Sequence, residues 1–139
     1  MSDVTSPRSD TSTGRVAVLV VVAEPDEQAR TVSALGLRSD LDVTAVTSIA
    51  QAREHVATTD VLVVDGDLRP KGGYSWLYEL RGDAELTGGQ RPPAVVLTDR
   101  EQDEFLVSWS HAERAVTKPV DPFALARAVT ELAGRRAPS

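Results

Sequence analysis

The stretch VAVLVVVAEPDEQAR, Val16 to Arg30, decides the fold. Its first half, Val16–Val22, is an unbroken apolar run without helical spacing, the pattern of a strand covered on both faces. The second half turns acidic at Glu24, Asp26 and Glu27, with Pro25 among them. Proline in a first turn, and acids beside the positive end of the backbone dipole, mark a helix start. That helix, PDEQARTVSALG, runs to Gly36. A buried strand leading straight into a helix is half of a βαβ unit. The tip of this strand, Val22 and Ala23, carries no reactive group, although strand tips are where open α/β sheets gather their chemistry.

The same alternation continues outward. Further apolar runs are DVTAV (Asp42–Val46), DVLVVD (Asp60–Asp65), AVVLT (Ala94–Thr98) and RAVTK (Arg114–Lys118). DVTAV alternates in polarity and predicts a more exposed strand. Between the runs lie SIAQAREHVA, capped by Thr47 or Ser48, then YSWLYELRG after a glycine-rich turn, the amphipathic REQDEFLVSWS, and DPFALARAVTELAG. The last has Asp121 as its cap, Pro122 in the first turn and apolar residues at Leu125, Val129 and Leu132. Five strands alternating with five helices predict right-handed crossovers and one parallel sheet. Residues 1–14, rich in Ser, Thr, Asp and Pro, predict a disordered tail, and the domain is expected over 15–134. Gly134 predicts a helix stop, with residues 135–139 as a second tail.

The 139 residues suffice for one domain with one core. Only 4% are aromatic, so that core is built mainly of Val, Leu and Ala. A net charge of −6 argues against nucleic acid or an acidic membrane as partner. The chain has no cysteine, which excludes disulfides, thiolate zinc sites and a cysteine nucleophile. No apolar run reaches the ~18 residues of a membrane span, and the first residues lack a signal-peptide centre; a cytoplasmic protein is expected.

The strand ends carry the functional signal. A carboxylate, Asp65, ends the third run; a hydroxyl, Thr98, ends the fourth; Lys118, followed by Pro119, ends the fifth. This order resembles the receiver domain of two-component response regulators. The resemblance implies a flavodoxin-like three-layer α/β sandwich with sheet order 2-1-3-4-5. It implies a phosphorelay signalling role, with Asp65 as the phosphoacceptor and Thr98 and Lys118 binding the phosphoryl oxygens. The chemistry suits these residue types. A carboxylate attacks a phosphoryl donor to give an aspartyl phosphate, and an ammonium and a hydroxyl stabilise charge on the transferred group. A cis peptide before the proline is common in the family. In DLRPKGGYSWLYELR, Gly73 falls at the family's usual distance from the acceptor, and Pro70 one residue late.

The chain departs from the family at three points. Val22 and Ala23 occupy the positions of two acids that normally hold Mg2+ with the acceptor, and neither supplies a side-chain oxygen. The site then has no certain cofactor; Mg2+ is expected only in an active receiver, held by Asp65 with Asp67 or Glu24. Without those acids, Lys118 is expected to pair with Asp65 uncontested. Asp99, beside Thr98, puts a charge at the mouth of the site that repels phosphate unless a cation lies between. Ala115 stands where receivers often carry a switching aromatic; Trp109 is the candidate to cover that surface.

The expected function is that of an atypical receiver, not an enzyme, acting through protein–protein binding with weak or no Mg2+-dependent phosphorylation. The alternative is an active receiver phosphorylated on Asp65 by a histidine kinase through a rearranged cation site. The expected partner is a signalling protein, a histidine kinase among the candidates, with a homodimer also open and neither nucleic acid nor membrane involved. Phe105, Leu106 and Trp109 are the candidate contact residues. Tyr74, Trp76 and Tyr78 are read as packing or partner surface, and His55 and His111 as surface residues. A small hydrolase with Asp65 as nucleophile is disfavoured because the chain is too short for a substrate-covering cap.

Overall fold

Each apolar run pairs with its neighbours in one parallel sheet. In the computed structural model, which describes residues 15–68, 72–99 and 104–136 and omits the side chains of 104–106 and 135–136, the strands are β1 (Val16–Val21), β2 (Leu41–Val46), β3 (Val61–Asp65), β4 (Ala94–Thr98) and β5 (Arg114–Thr117). Their spatial order is β2-β1-β3-β4-β5, as the family resemblance implied. The helices are α1 (Pro25–Gly36), α2 (Ile49–Arg53), α3 (Gly73–Leu86), α4 (Glu104–Ser110) and α5 (Pro122–Arg136).

The period-two alternation of a strand sends side chains to opposite faces. Val18, Val20 and Val22 therefore pack with Ala34 and Leu35 of α1 and with Leu125, Val129 and Leu132 of α5. Leu19 and Val21 pack on the other face, with Ile49 and Ala52 of α2 and Tyr74, Trp76 and Leu77 of α3. The β3 and β4 strands are buried throughout, whereas β2, at the edge, is more exposed as its sequence predicts, with Leu41 and Val46 its buried residues. Among the described residues no helix is long and apolar enough to cross a membrane.

Helix starts follow their caps. Glu24 Oε1 accepts the Glu27 N–H, Ser48 Oγ the Gln51 N–H, and Asp121 Oδ1 the Phe123 N–H. Several ends differ from expectation. The α2 helix stops at Arg53 and gives way to a 3-10 turn, Val56–Thr58. The Thr58 and Thr59 hydroxyls both bond to the His55 carbonyl, the local competition that ends helices. Gly134 does not stop α5, which runs on to Arg136; glycine in a last turn costs only about 1 kcal/mol against alanine. The β1 and β5 ladders end one residue short, leaving Val22 and Lys118 just beyond their strands. Pro70 lies outside the described residues.

Gly73 sets the position of the third strand's tip. It opens α3 directly against the end of β3, and its N–H donates to the Gly66 carbonyl at 3.1 Å. A Cβ there would run into the backbone carbonyl of Asp65 and the side chain of Val64. Overpacking of this kind costs ~2 kcal/mol. Gly73→Ala is expected to lower the urea midpoint accordingly; an unchanged midpoint would show that α3 shifts freely away from β3.

Candidate functional site

The parallel register brings three strand ends to one edge. Asp65 pairs with Leu97, one residue before Thr98, and Thr98 pairs with Thr117, one residue before Lys118. The Lys118 N–H donates to the Thr98 carbonyl at 2.7 Å, which extends the β4–β5 pairing to the lysine. The Lys118–Pro119 peptide is cis. Asp65 and Thr98 are buried, and the Lys118 side chain keeps 14% of its exposure.

The Lys118 ammonium meets three carboxylates. Asp65 Oδ1 lies at 2.8 Å, Asp99 Oδ1 at 3.1 Å and Asp67 Oδ2 at 3.4 Å. The expected Asp65–Lys118 pair is therefore present, but it is not uncontested: Asp67, expected at most as a metal ligand, and Asp99, expected as a charge at the mouth of the site, share the lysine. The Asp67 backbone N–H also donates to Asp65 Oδ1 at 2.9 Å. Among the described residues, no donor reaches Asp65 Oδ2.

Charge accounts for the protonation behaviour. Burial alone would push the Lys118 ammonium down, but the hydrogen bond and charge of Asp65, then those of Asp99, hold it above its ordinary value. The Asp67 carboxyl is raised by its hydrogen bond to Asp99, by burial and by the Asp99 charge, against the opposing pull of Lys118.

The first strand contributes no chemistry to this edge. Val22 is fully buried in the core beneath α1 and α5, while Ala23 is exposed. The Gln28 amide, with no signal in the sequence, donates to the carbonyls of Val22 at 2.9 Å and Val46 at 3.1 Å, closing the tips of β1 and β2. Glu24 is engaged as the α1 cap.

Two uncharacterized response regulatory proteins, from two strains of Mycobacterium tuberculosis, are each 34% identical to this chain over 130 residues, covering 88% of it and 94% of their own length. The chain belongs to the response-regulator receiver family. No family model matches it. Solved receivers share its fold. The receiver domain of Ssk1 from Saccharomyces cerevisiae, crystallised with the histidine phosphotransfer signaling protein Ypd1, superposes with a TM-score of 0.80 at 20% identity, covering 90% of this chain and 93% of that one. The chemotaxis response regulator CheY4 of Vibrio cholerae gives 0.70 at 18% identity, with 85% and 98% covered.

The positions that the family resemblance gives to metal-binding acids carry other groups here. Val22 and Ala23 bring no side-chain oxygen, Glu24 is turned to its helix, and the Lys118 ammonium lies against Asp65, Asp67 and Asp99. Among the described residues, no group of three His, Asp or Glu side chains is placed to hold a metal ion. Ala115 is exposed and presents only a methyl group at its position. The Trp109 ring stacks on Tyr78 of α3, with centroids 4.6 Å apart and planes 6° from parallel. Stacking of two large rings satisfies both more fully than an edge beside an alanine. Tyr74 and Trp76 are core residues, leaving Tyr78 as the exposed member of that trio. His111 is exposed with φ of 63°, and His55 caps the 3-10 turn. The side chains of Phe105 and Leu106 lie outside the described residues.

Proposed function

We propose that this receiver is a signalling module that works by binding another protein, with weak or no Mg2+-dependent phosphorylation of Asp65. One observation carries the reading: the cation facing Asp65 is the protein's own Lys118, while the β1 tip that should supply metal-binding acids is hydrocarbon. An ammonium fixed by ion pairs supplies the positive charge that a metal supplies elsewhere, and it does so without any donor. The resting site thereby carries its own counter-cation, which offsets part of the carboxylate charge around it. The likeness to a receiver crystallised with a histidine phosphotransfer protein supports a protein of that signalling class as partner.

Asp65 nevertheless keeps the chemistry of an acceptor position. Its Oδ1 takes two hydrogen bonds, and among the described residues no donor reaches Oδ2, the oxygen that would attack phosphorus. Incubation with a small acyl phosphate, with and without Mg2+, followed by intact-mass measurement, tests the reading. Adduct is expected on a small minority of molecules at most, and Asp65→Asn is expected to remove it. A stoichiometric, Mg2+-dependent adduct that disappears in Asp65→Asn would instead establish an active receiver with a rearranged cation site.

A further inference from the structure

An ammonium has three N–H donors. Three carboxylate oxygens lie around Lys118 Nζ, at 2.8, 3.1 and 3.4 Å, one each from Asp65, Asp99 and Asp67. Donors and acceptors match one to one. A phosphoryl oxygen arriving at Asp65 thus finds no unengaged donor on the lysine that should receive it. It must displace a carboxylate that is covalently tethered to the same site and so present at high effective concentration.

The three acids do not stand equally. Asp65 is nine-tenths buried and tied by a second bond to the Asp67 N–H, so it is the hardest to displace. Asp67 and Asp99 are 52% and 54% exposed and lie on the solvent side of the lysine, the direction from which a donor approaches. They come from different segments, Asp67 from the turn after β3 and Asp99 from the end of β4. Together they close over Lys118. Their charge also opposes a phosphate directly.

We propose that Asp67 and Asp99 are positioning residues that inhibit this receiver from within, holding the Lys118 donors away from the phosphoryl group and thereby throttling phosphorylation of Asp65. The inference rests on Asp65 being the acceptor position. In the throttled step an Asp65 oxygen forms the new bond to phosphorus. The bond from phosphorus to the acyl oxygen of the donor breaks, and its electron pair leaves on the carboxylate product. No proton has to move. Lys118 is required to steady the equatorial oxygens in that step, and it is available only when at least one competitor lets go.

Asp67→Ala, Asp99→Ala and the double variant test this, each also in the Asp65→Asn background. Both positions are half-exposed, so alanine leaves the core intact, and thermal melts verify folding. With an acyl phosphate, the initial rate of adduct formation is expected to rise at least about tenfold in the double variant, all of it lost with Asp65→Asn. A second readout follows the lysine itself. The chain has two lysines, Lys71 and Lys118, so lysine-specific 15N labelling yields two ammonium signals. Proton exchange at Lys118 is expected to accelerate when either acid is removed, which a purely structural role would not produce. Adduct on the wild-type protein that the double variant does not increase overturns the inference while leaving Asp65 as acceptor. Absence of adduct in every variant overturns both the inference and the acceptor assignment, as does adduct that survives Asp65→Asn.

Discussion

Val22→Asp is expected to lower the unfolding free energy by about 4 kcal/mol, whereas Ala23→Asp changes it by less than about 0.5 kcal/mol. Val22 is fully buried among Val18, Val20, Leu35 and Leu125. Removing it forfeits about 2 kcal/mol of burial, and a carboxyl placed there adds a desolvation cost of similar size. Such a carboxyl stays protonated above its usual range, so its folded-state pKa exceeds the unfolded one. The stability of Val22→Asp should therefore fall as pH rises from 4 to 7. Ala23 is exposed, and an aspartate there stays in water. Urea melts of the two variants at both pH values measure the contrast. A Val22→Asp protein within about 1 kcal/mol of wild type would show that the β1 tip is hydrated, and that a metal site can be rebuilt by substitution alone.

Lys118→Met is expected to cost about 3 kcal/mol at neutral pH. Three carboxylates converge on the lysine, and Asp65 among them is nearly buried, so removing the cation leaves a buried charge without compensation. The pH dependence has a definite sign. In the wild type the Lys118 pKa is raised, so its contribution is complete below the ordinary lysine pKa of 10.5 and is lost only as pH climbs through the raised folded value. Without the lysine, the Asp67 carboxyl, already raised by its hydrogen bond to Asp99, by burial and by the Asp99 charge, loses the opposing pull of the ammonium and rises further. Folding then binds protons, and the deficit of Lys118→Met should shrink from pH 7 to pH 4. Asp65→Asn added to Lys118→Met should recover much of the loss. Equal deficits at the two pH values would mean that the cluster is effectively solvated and that Lys118 contributes by packing alone.

Both variants probe the same division of labour. The β1 tip serves the core, and the cation at the receiver's acidic edge is a lysine delivered by β5. Asp65 and Lys118 meet at that edge at 2.8 Å, with Asp67 and Asp99 beside them.

Local signals sufficed for much of this. Val-rich runs mark β1, β3 and β4, polarity alternation marks the edge strand β2, and Ser48 and Asp121 mark their helix starts, because each rests on residues within one or two turns. The order of Asp65, Thr98 and Lys118 at successive strand ends, and the hydrocarbon at Val22 and Ala23, were legible for the same reason: a strand's last residue can be read from the strand. The end of α2 was not, because the threonine hydroxyls that stop it act on a backbone carbonyl whose choice of partner is a matter of geometry.

What the tertiary structure alone decided are the contacts made across the sheet edge and between helices. Asp67 and Asp99 join Lys118 across 51 and 19 residues of chain, the Gln28 amide bridges two strand tips, and Trp109 turns to Tyr78. No periodicity encodes such meetings. Polar side chains at loop ends have several partners within reach, and the choice among them depends on ångström-scale register and on what is desolvated once the layers close. The sequence by itself determined a parallel α/β receiver with a carboxylate, a hydroxyl and a lysine at successive strand ends and hydrocarbon at the tip of its first strand. Packing decided how many carboxylates that lysine must serve.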